Sequence, residues 1–231
     1  MTFFGVFHMN DKRKMIFAYI ILMYLIPVAL TVGLKVLSGN GIIPSIPTNK
    51  IVMYVNMVVY LILPIVVIII LHKRLSSDLK KTNRLLLKVV PLILIVYASS
   101  MLGNIFINLL DHTQTTDNQT LINEMRNANS LFTTYMAVIA APIAEESVFR
   151  YSLIGERKGF GGFLMLIISS VLFGLIHMQS IAIGALIAYS TIGFALGCIY
   201  LKNRNLILNI LVHAGYNGSA LLISYLYTRF Q

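Results

Sequence analysis

The stretch Ala141-Pro142-Ile143-Ala144-Glu145-Glu146-Ser147-Val148-Phe149-Arg150 sets two adjacent carboxylates and an arginine inside an apolar run that begins near Leu131. The whole chain has only eight acidic residues. An ionisable side chain at membrane depth costs roughly 2.5–3.5 kcal/mol on insertion scales, so a chain carrying three so close together has a use for them.

The rest of the sequence supplies the membrane. Over its 231 residues, 58% are hydrophobic and 11% charged, the mean hydropathy is +0.82, and apolar runs near 20 residues recur throughout. That composition predicts an all-α, polytopic transmembrane helical bundle and excludes a soluble domain. A net charge of +10 does not point to nucleic acid, because the basic residues lie in short segments between apolar runs, where membrane topology is encoded. The single cysteine, Cys198, excludes an internal disulfide and a cysteine-based zinc site, and reads as a small packing residue. Lys12, Arg13 and Lys14 precede an apolar stretch that runs to about Leu37 without a small-residue cleavage site, which reads as a first spanning helix and not a signal peptide.

About seven spans are expected, at 15–37, 51–71, 86–110, 131–154, 161–179, 182–201 and 206–227. Ser38 to Gly41 and Pro44-Ser45-Ile46-Pro47 read as a turn-rich loop, and Pro27, Pro64 and Pro91 as kinks within spans. The segment His72 to Lys88 carries Lys73, Arg74, Lys80, Lys81 and Arg84 against Asp78. With the basic N-terminus, it is expected in the cytoplasm, as are Arg157, Lys158, Lys202 and Arg204. Asp111 to Ser130 reads as a polar outer loop. There is no internal repeat of the transporter kind. By motif content the chain divides into a three-span region, 1–130, and a four-span core, 131–231.

Helix geometry groups the polar residues of that core. Glu146 and Arg150 are four apart and can pair, while Glu145 is rotated by about 100° and can point elsewhere, free to hold a water. Phe173 and His177 are also four apart. Asn209, His213 and Asn217 form one stripe. Each cluster has a plain alternative: a structural ion pair for Glu146 and Arg150, an interfacial hydrogen bond for His177, and interhelical contacts worth about 0.6 kcal/mol each for the stripe. Asn56, Asn104 and Asn108 fit that plain reading. Gly161, Gly162, Gly174, Gly184, Gly193 and Gly197 read as close-packing positions. Two acids, two histidines and an asparagine in neighbouring spans are nevertheless the requirements of hydrolysis.

Three motifs in order, Glu145-Glu146-Ser147-Val148-Phe149-Arg150 (EExxxR), Phe173 to His177 (FxxxH) and His213 to Asn217 (HxxxN), resemble the membrane-embedded CPBP group. It comprises CAAX proteases and bacteriocin-processing or immunity proteins, and is also called the Abi family. The resemblance covers about Leu131 to Leu226. It implies a polar cavity opening to the cytoplasmic side and peptide-bond hydrolysis there. Glu145 and His177 would activate a water, and His213 and Asn217 would stabilise the oxyanion. Glu146 with Arg150 would be the supporting pair, Asn209 a further support, and Phe173 a wall of the cavity. The family has also been read as metal-dependent. Glu145, His177 and His213 would then hold Zn²⁺, although the chain lacks a His-Glu-x-x-His signature. The metal-free mechanism, with no cofactor, is the expectation.

The resulting expectation is an integral membrane endopeptidase, N-terminus cytoplasmic, in a bacterial cell membrane. Its substrate would be a peptide or small protein, amphipathic or lipidated, such as a pheromone, bacteriocin or leader peptide. The alternatives are a non-catalytic immunity or regulatory scaffold that binds a peptide or partner protein, and, further off, a transporter with a protonatable site. One spacing conflicts with straight helices. Counted from a turn near Arg157, Glu146 lies ~16 Å along its helix and His177 ~30 Å along the returning one. That mismatch calls for a re-entrant turn at 155–162 or for different span boundaries.

Overall fold

The computed structural model describes residues 10–44, 47–113, 115–178 and 180–230, so Ser45 and Ile46 of the expected turn-rich loop lie outside the described residues. Eight helices follow in order. They are α1 (Asp11–Gly39), α2 (Thr48–Thr82), α3 (Leu85–Asp111), α4 (Asp117–Ala128), α5 (residues 130–154), α6 (Gly159–Ile176), α7 (Ile183–Asn203) and α8 (Leu206–Arg229). The described residues contain no strand.

Six of these helices are long and apolar enough to cross a membrane: α1, α2, α3, α6, α7 and α8. The seventh expected span is continuously helical as α5 but is not among them, because Glu145, Glu146, Arg150 and the threonines of its first turns dilute its apolar content. The outward faces are apolar. On α2, for instance, Ile51, Val55, Val59, Leu63, Val67 and Leu71 form a buried stripe, while Val58, Leu61, Ile65, Ile68 and Ile69 are exposed. In water such a surface would aggregate; in lipid it is the ordinary exterior. Cys198 is also exposed, which corrects its reading as a packing residue.

The chain forms two compact units, residues 1–72 and 73–231, with the boundary inside α2. The motif-based division at residue 130 falls within the second unit, which holds every residue of the candidate site.

Two prolines shape the helices locally. A π-helical turn, Ile21–Leu25, directly precedes Pro27, and another, Met136–Ala140, precedes Pro142. A proline has no N–H for the carbonyl one turn back, and the wider turn accommodates the break. Two π-helical segments have no such proline: Ile107–Asp111 ends α3, and Glu146–Ile154 runs from the second glutamate to the end of α5.

The expected outer loop contains a helix, α4. Its start is readable in retrospect: Thr116 Oγ1 accepts from the Gln119 N–H at 3.2 Å, Asp117 stands in the first turn and Arg126 in the last, an arrangement that suits both caps and dipole.

The spacing conflict resolves in the turn after α5. Gly155 has φ +59°, and the chain doubles back so that a Cβ on Gly162 would meet the Arg157 carbonyl at 2.7 Å. Ile154 packs with Leu166 and Tyr200, and Ser169 donates to the Phe149 carbonyl at 2.7 Å. The first seven residues of α6 therefore project ~10 Å past the end of α5. Measured from the level of Ile154 and Leu166, Glu145 lies ~13 Å along α5 and His177 ~16 Å along α6, which brings them together.

A polar knot fixes the start of α8. The carboxylate of Asp78, 2% exposed, accepts from the Leu206 N–H at 2.7 Å and from Arg74 Nε at 2.8 Å. Arg74 also donates to the Arg204 carbonyl at 2.6 Å, Asn205 donates to the Asp78 carbonyl at 3.0 Å, and the Arg204 guanidinium donates to the carbonyls of Gly155 and Arg157.

Close helix approach sets the spacing of α6 and α7. A Cβ on Gly174 would meet the Leu186 carbonyl at 2.8 Å, whereas one on Gly161 would meet nothing within 4 Å. Of the six glycines read as packing positions, Gly161 alone has open space. Gly174→Ala is expected to destabilise the protein by about 1–3 kcal/mol and Gly161→Ala to leave it nearly unchanged, as read by thermal melting in detergent.

Candidate active site

Glu145 and Glu146 are neighbours in sequence with separate surroundings. Glu146 is fully buried, and every contact it makes is a donor. His213 Nδ1 lies 2.9 Å from its Oε1, Asn209 Nδ2 donates to Oε2 at 2.8 Å, and Arg150 Nε is 3.1 Å from Oε2. Arg150 is also fully buried, with its guanidinium 4.8 Å from the Phe173 ring centroid and 5.9 Å from that of Phe149. Asn209 donates as well to the Leu196 carbonyl at 2.9 Å, so this carboxylate joins α5 to α8 and, through the amide, to α7.

Glu145, 7% exposed, turns the other way. Its Oε2 has no hydrogen-bond donor among the described residues, and it lies 3.9 Å from Nε2 of both His177 and His213. The far sides of both rings are committed. His177 Nδ1 lies 2.8 Å from the Phe173 carbonyl, an acceptor only, which assigns the proton to Nδ1. His213 Nδ1 faces the Glu146 carboxylate in the same sense. With both rings neutral, their Nε2 lone pairs and the Glu145 oxygen are three acceptors converging from three helices. A water between them has two hydrogens to give, so satisfying all three requires a proton on one of them. That is the condition of a group ready to take or return a proton.

Phe173 lies in the same cluster, 4.4 Å from His177 and 5.9 Å from His213 by ring centroids, and edge-on to Phe149 at 5.6 Å. One N–H of the Asn217 amide is committed to the backbone, donating to the Ala137 carbonyl at 2.8 Å. The reason lies in the sequence of α5. In the π turn the Ala141 N–H reaches the Met136 carbonyl, so the next bond in that pattern would come from residue 142, which is proline. Asn217 supplies the donor that Pro142 lacks. A cavity of about 380 Å³ lies between α3, α6 and α7, lined by Ser99, Leu102, Ile167, Ser170, Val171, Ile187, Ser190, Thr191 and Phe194. None of the predicted site residues lines it.

Motif reasoning missed one aromatic neighbour. Tyr189 of α7 stacks on His177 with centroids 4.9 Å apart and planes 21° apart; a tyrosine in an apolar helix carries no distinguishing signal in sequence.

As metal ligands, Glu145, His177 and His213 have the right donor types, and a histidine held at Nδ1 by a carboxylate or carbonyl is typical beyond a metal. As they are placed, however, no three His, Cys, Asp or Glu side chains among the described residues group closely enough to hold an ion.

Residues 127–219, which contain all three motifs, match the family model of Rce1-like type II CAAX prenyl endopeptidases. That match is consistent with the CPBP family. It is also similar to the UPF0177 protein YvdC of Lactococcus lactis subsp. lactis (strain IL1403), 26% identical over 141 residues, covering 60% of this chain and 52% of that protein. The chain thus spans about half the length of that curated relative. No solved structure matches. The match to a membrane protease family and the six apolar helices support an integral membrane protein.

The two glutamates should differ sharply in what they support. Arg150→Met leaves Glu146 buried without its cation and is expected to destabilise the protein by about 3–5 kcal/mol, whereas Glu145→Gln strands no partner and should change the melting temperature far less.

Proposed function

We propose that the protein is a membrane-embedded endopeptidase that cleaves a short amphipathic or lipidated peptide, in maturation of a bacterial pheromone, bacteriocin or leader peptide or in immunity. The observation that carries this reading is the approach of both motif imidazoles to one oxygen of Glu145, while Glu146 is fully engaged by Arg150, His213 and Asn209.

In the proposed reaction a water sits between Glu145 Oε2 and His177 Nε2. Glu145 takes one of its protons as the water oxygen bonds to the scissile carbonyl carbon. The carbonyl oxygen becomes an oxyanion, which accepts from the second N–H of the Asn217 amide and from His213 Nε2 when that ring carries both protons, with Glu146 receiving its Nδ1–H. Collapse breaks the carbon–nitrogen bond, and Glu145 returns the proton to the leaving amine. The buried aromatic side chains around Glu145 strengthen each of these contacts by keeping bulk water away. The expected topology puts the N-terminus and the basic segment from Lys73 to Lys88 in the cytoplasm, so the peptide approaches from that leaflet or sideways from lipid.

The test uses purified protein in liposomes, a library of amphipathic peptides and mass spectrometry of the products. Glu145→Ala, His177→Ala and His213→Ala should each abolish cleavage while the protein stays in the membrane, and Asn217→Ala should lower turnover by about two to three decades. Full cleavage by Glu145→Ala would sink the mechanism. If the physiological effect of the protein survives loss of both Glu145 and His177, it is a binding scaffold and not a peptidase.

The donor set also specifies a test for metal. Cleavage is expected to withstand chelators; its loss on chelation and recovery with Zn²⁺ would instead make Glu145, His177 and His213 ligands.

A further inference from the structure

The placement of His177 poses a mechanical question. It stands one residue past the end of α6, as the cap of that helix, and α7 begins only at Ile183. No following helical turn holds it. Glu145, His213 and Asn209 all sit within helices, where the backbone fixes the direction of the side chain. His177 must be aimed by what touches its ring.

Phe173 covers one neighbour of that ring at 4.4 Å and a 33° angle, and its carbonyl holds Nδ1. Tyr189 is the second neighbour, nearly parallel at 4.9 Å. Its hydroxyl is held in turn: Asn118 Nδ2 donates to it at 3.2 Å, and Thr116 Oγ1 lies 2.8 Å away. Both partners lie where α3 gives way to α4, Thr116 as the cap of α4 and Asn118 in its first turn. That segment is tied down at two further points. The Asp111 carboxylate accepts from the N–H groups of Gly184 and Ala185 at 2.9 and 2.7 Å, at the start of α7. Asp117 accepts from Ser180, in the stretch just after His177. The close approach of Gly174 to the Leu186 carbonyl keeps α6 and α7 near enough for the two rings to stack.

We propose that Tyr189, which lies outside the three motifs, is a positioning residue: anchored through its hydroxyl by Thr116 and Asn118, it holds the His177 ring so that Nε2 faces Glu145. This rests on the reading of Glu145 and His177 as the pair that handles the attacking water. In this role Tyr189 acts through the ring of His177. A tyrosine that merely filled space would affect folding without changing which ring nitrogen carries the proton.

Two readouts test the proposal independently. The first is ¹⁵N NMR of histidine-labelled protein in nanodiscs, with the His177 signals assigned by their loss in His177→Gln. Wild type should show one tautomer, protonated at Nδ1. Tyr189→Leu, which removes the stack, should show both tautomers or exchange between them, and Tyr189→Phe, which keeps the stack and loses the anchor, should show a smaller change. The double variant Thr116→Val/Asn118→Leu should reproduce Tyr189→Phe. The second readout is kinetic, on a peptide that wild type cleaves: Tyr189→Leu is expected to lower kcat by about tenfold or more with KM within about twofold, since a small misplacement of a reacting group costs rate rather than binding. Unchanged His177 signals in Tyr189→Leu would overturn the proposal, as would unchanged kcat. Wild-type behaviour of Tyr189→Phe in both readouts would overturn the hydroxyl anchor. Should Tyr189→Leu fail to fold, Tyr189→Phe and the double variant carry the decision. Should wild type cleave no peptide at all, the peptidase reading fails while the NMR comparison still decides whether Tyr189 aims the ring.

Discussion

The buried carboxylate of Glu146 is the contact on which the second unit depends. In lipid, apolar helix faces gain little from one another, because the acyl chains they would leave are as apolar as the neighbouring helix. Register between helices must then come from close packing at small residues and from polar contacts that have no alternative partner. Glu146 provides such contacts in one place. Arg150 lies on its own helix, Asn209 and His213 on α8, and Asn209 reaches the Leu196 carbonyl on α7. Sliding α8 by a single turn would take Asn209 and His213 away from Glu146 and leave its buried carboxylate short of two hydrogen-bond donors. Specificity of register is what the Asn209 and His213 contacts to this carboxylate contribute, while Arg150 supplies the charge that lets the carboxylate stay buried.

A second knot reinforces the same register from the helix end. Asp78 accepts from the first N–H of α8, and Asn205 returns a bond to the Asp78 carbonyl. Asn209 and His213 stand one and two turns further on, ~6 and ~12 Å along the axis. The height of the two side chains that meet Glu146 is thus set twice, once at the carboxylate and once at the helix start. That redundancy matters because His213 also has to present Nε2 to Glu145, and a ring held at only one point could rotate away.

What the sequence made legible was the polar periodicity. Four-residue steps placed Glu146 with Arg150, and Asn209 with His213, on shared faces, and a 100° rotation separated the two glutamates; these depend only on helix geometry, which survives any tertiary arrangement. Which glutamate does which job did not follow from that count, since swapping their roles changes no spacing. Less legible was anything set by local departures from the α-helix. The π turn before Pro142 moves the partner of the Ala137 carbonyl onto Asn217, so a residue assigned from its stripe alone has a backbone contact no stripe can reveal. The helix Asp117–Ala128 was hidden by its polarity: in a chain where apolar runs mark the spans, a polar helix at the surface looks like a loop, and only the Thr116 cap betrays it. The fold-back at Gly155 was foreseeable only as a conflict of lengths. Tyr189 gave no signal at all, since its meaning lies in a ring brought to it from another helix.

The contrast between the two glutamates also bears on whether this is a machine or a scaffold. A buried carboxylate kept for architecture is expected to be saturated with donors, because each missing hydrogen bond costs free energy and an apolar residue of the same size would usually serve better. Glu146 meets that expectation and Glu145 does not. Its Oε2 faces two imidazole nitrogens whose lone pairs are left free by the bonds on their far sides, so the local arrangement concentrates acceptors where stability alone would call for donors. Such a cluster is satisfied by something that brings protons with it. Water is the simplest such species.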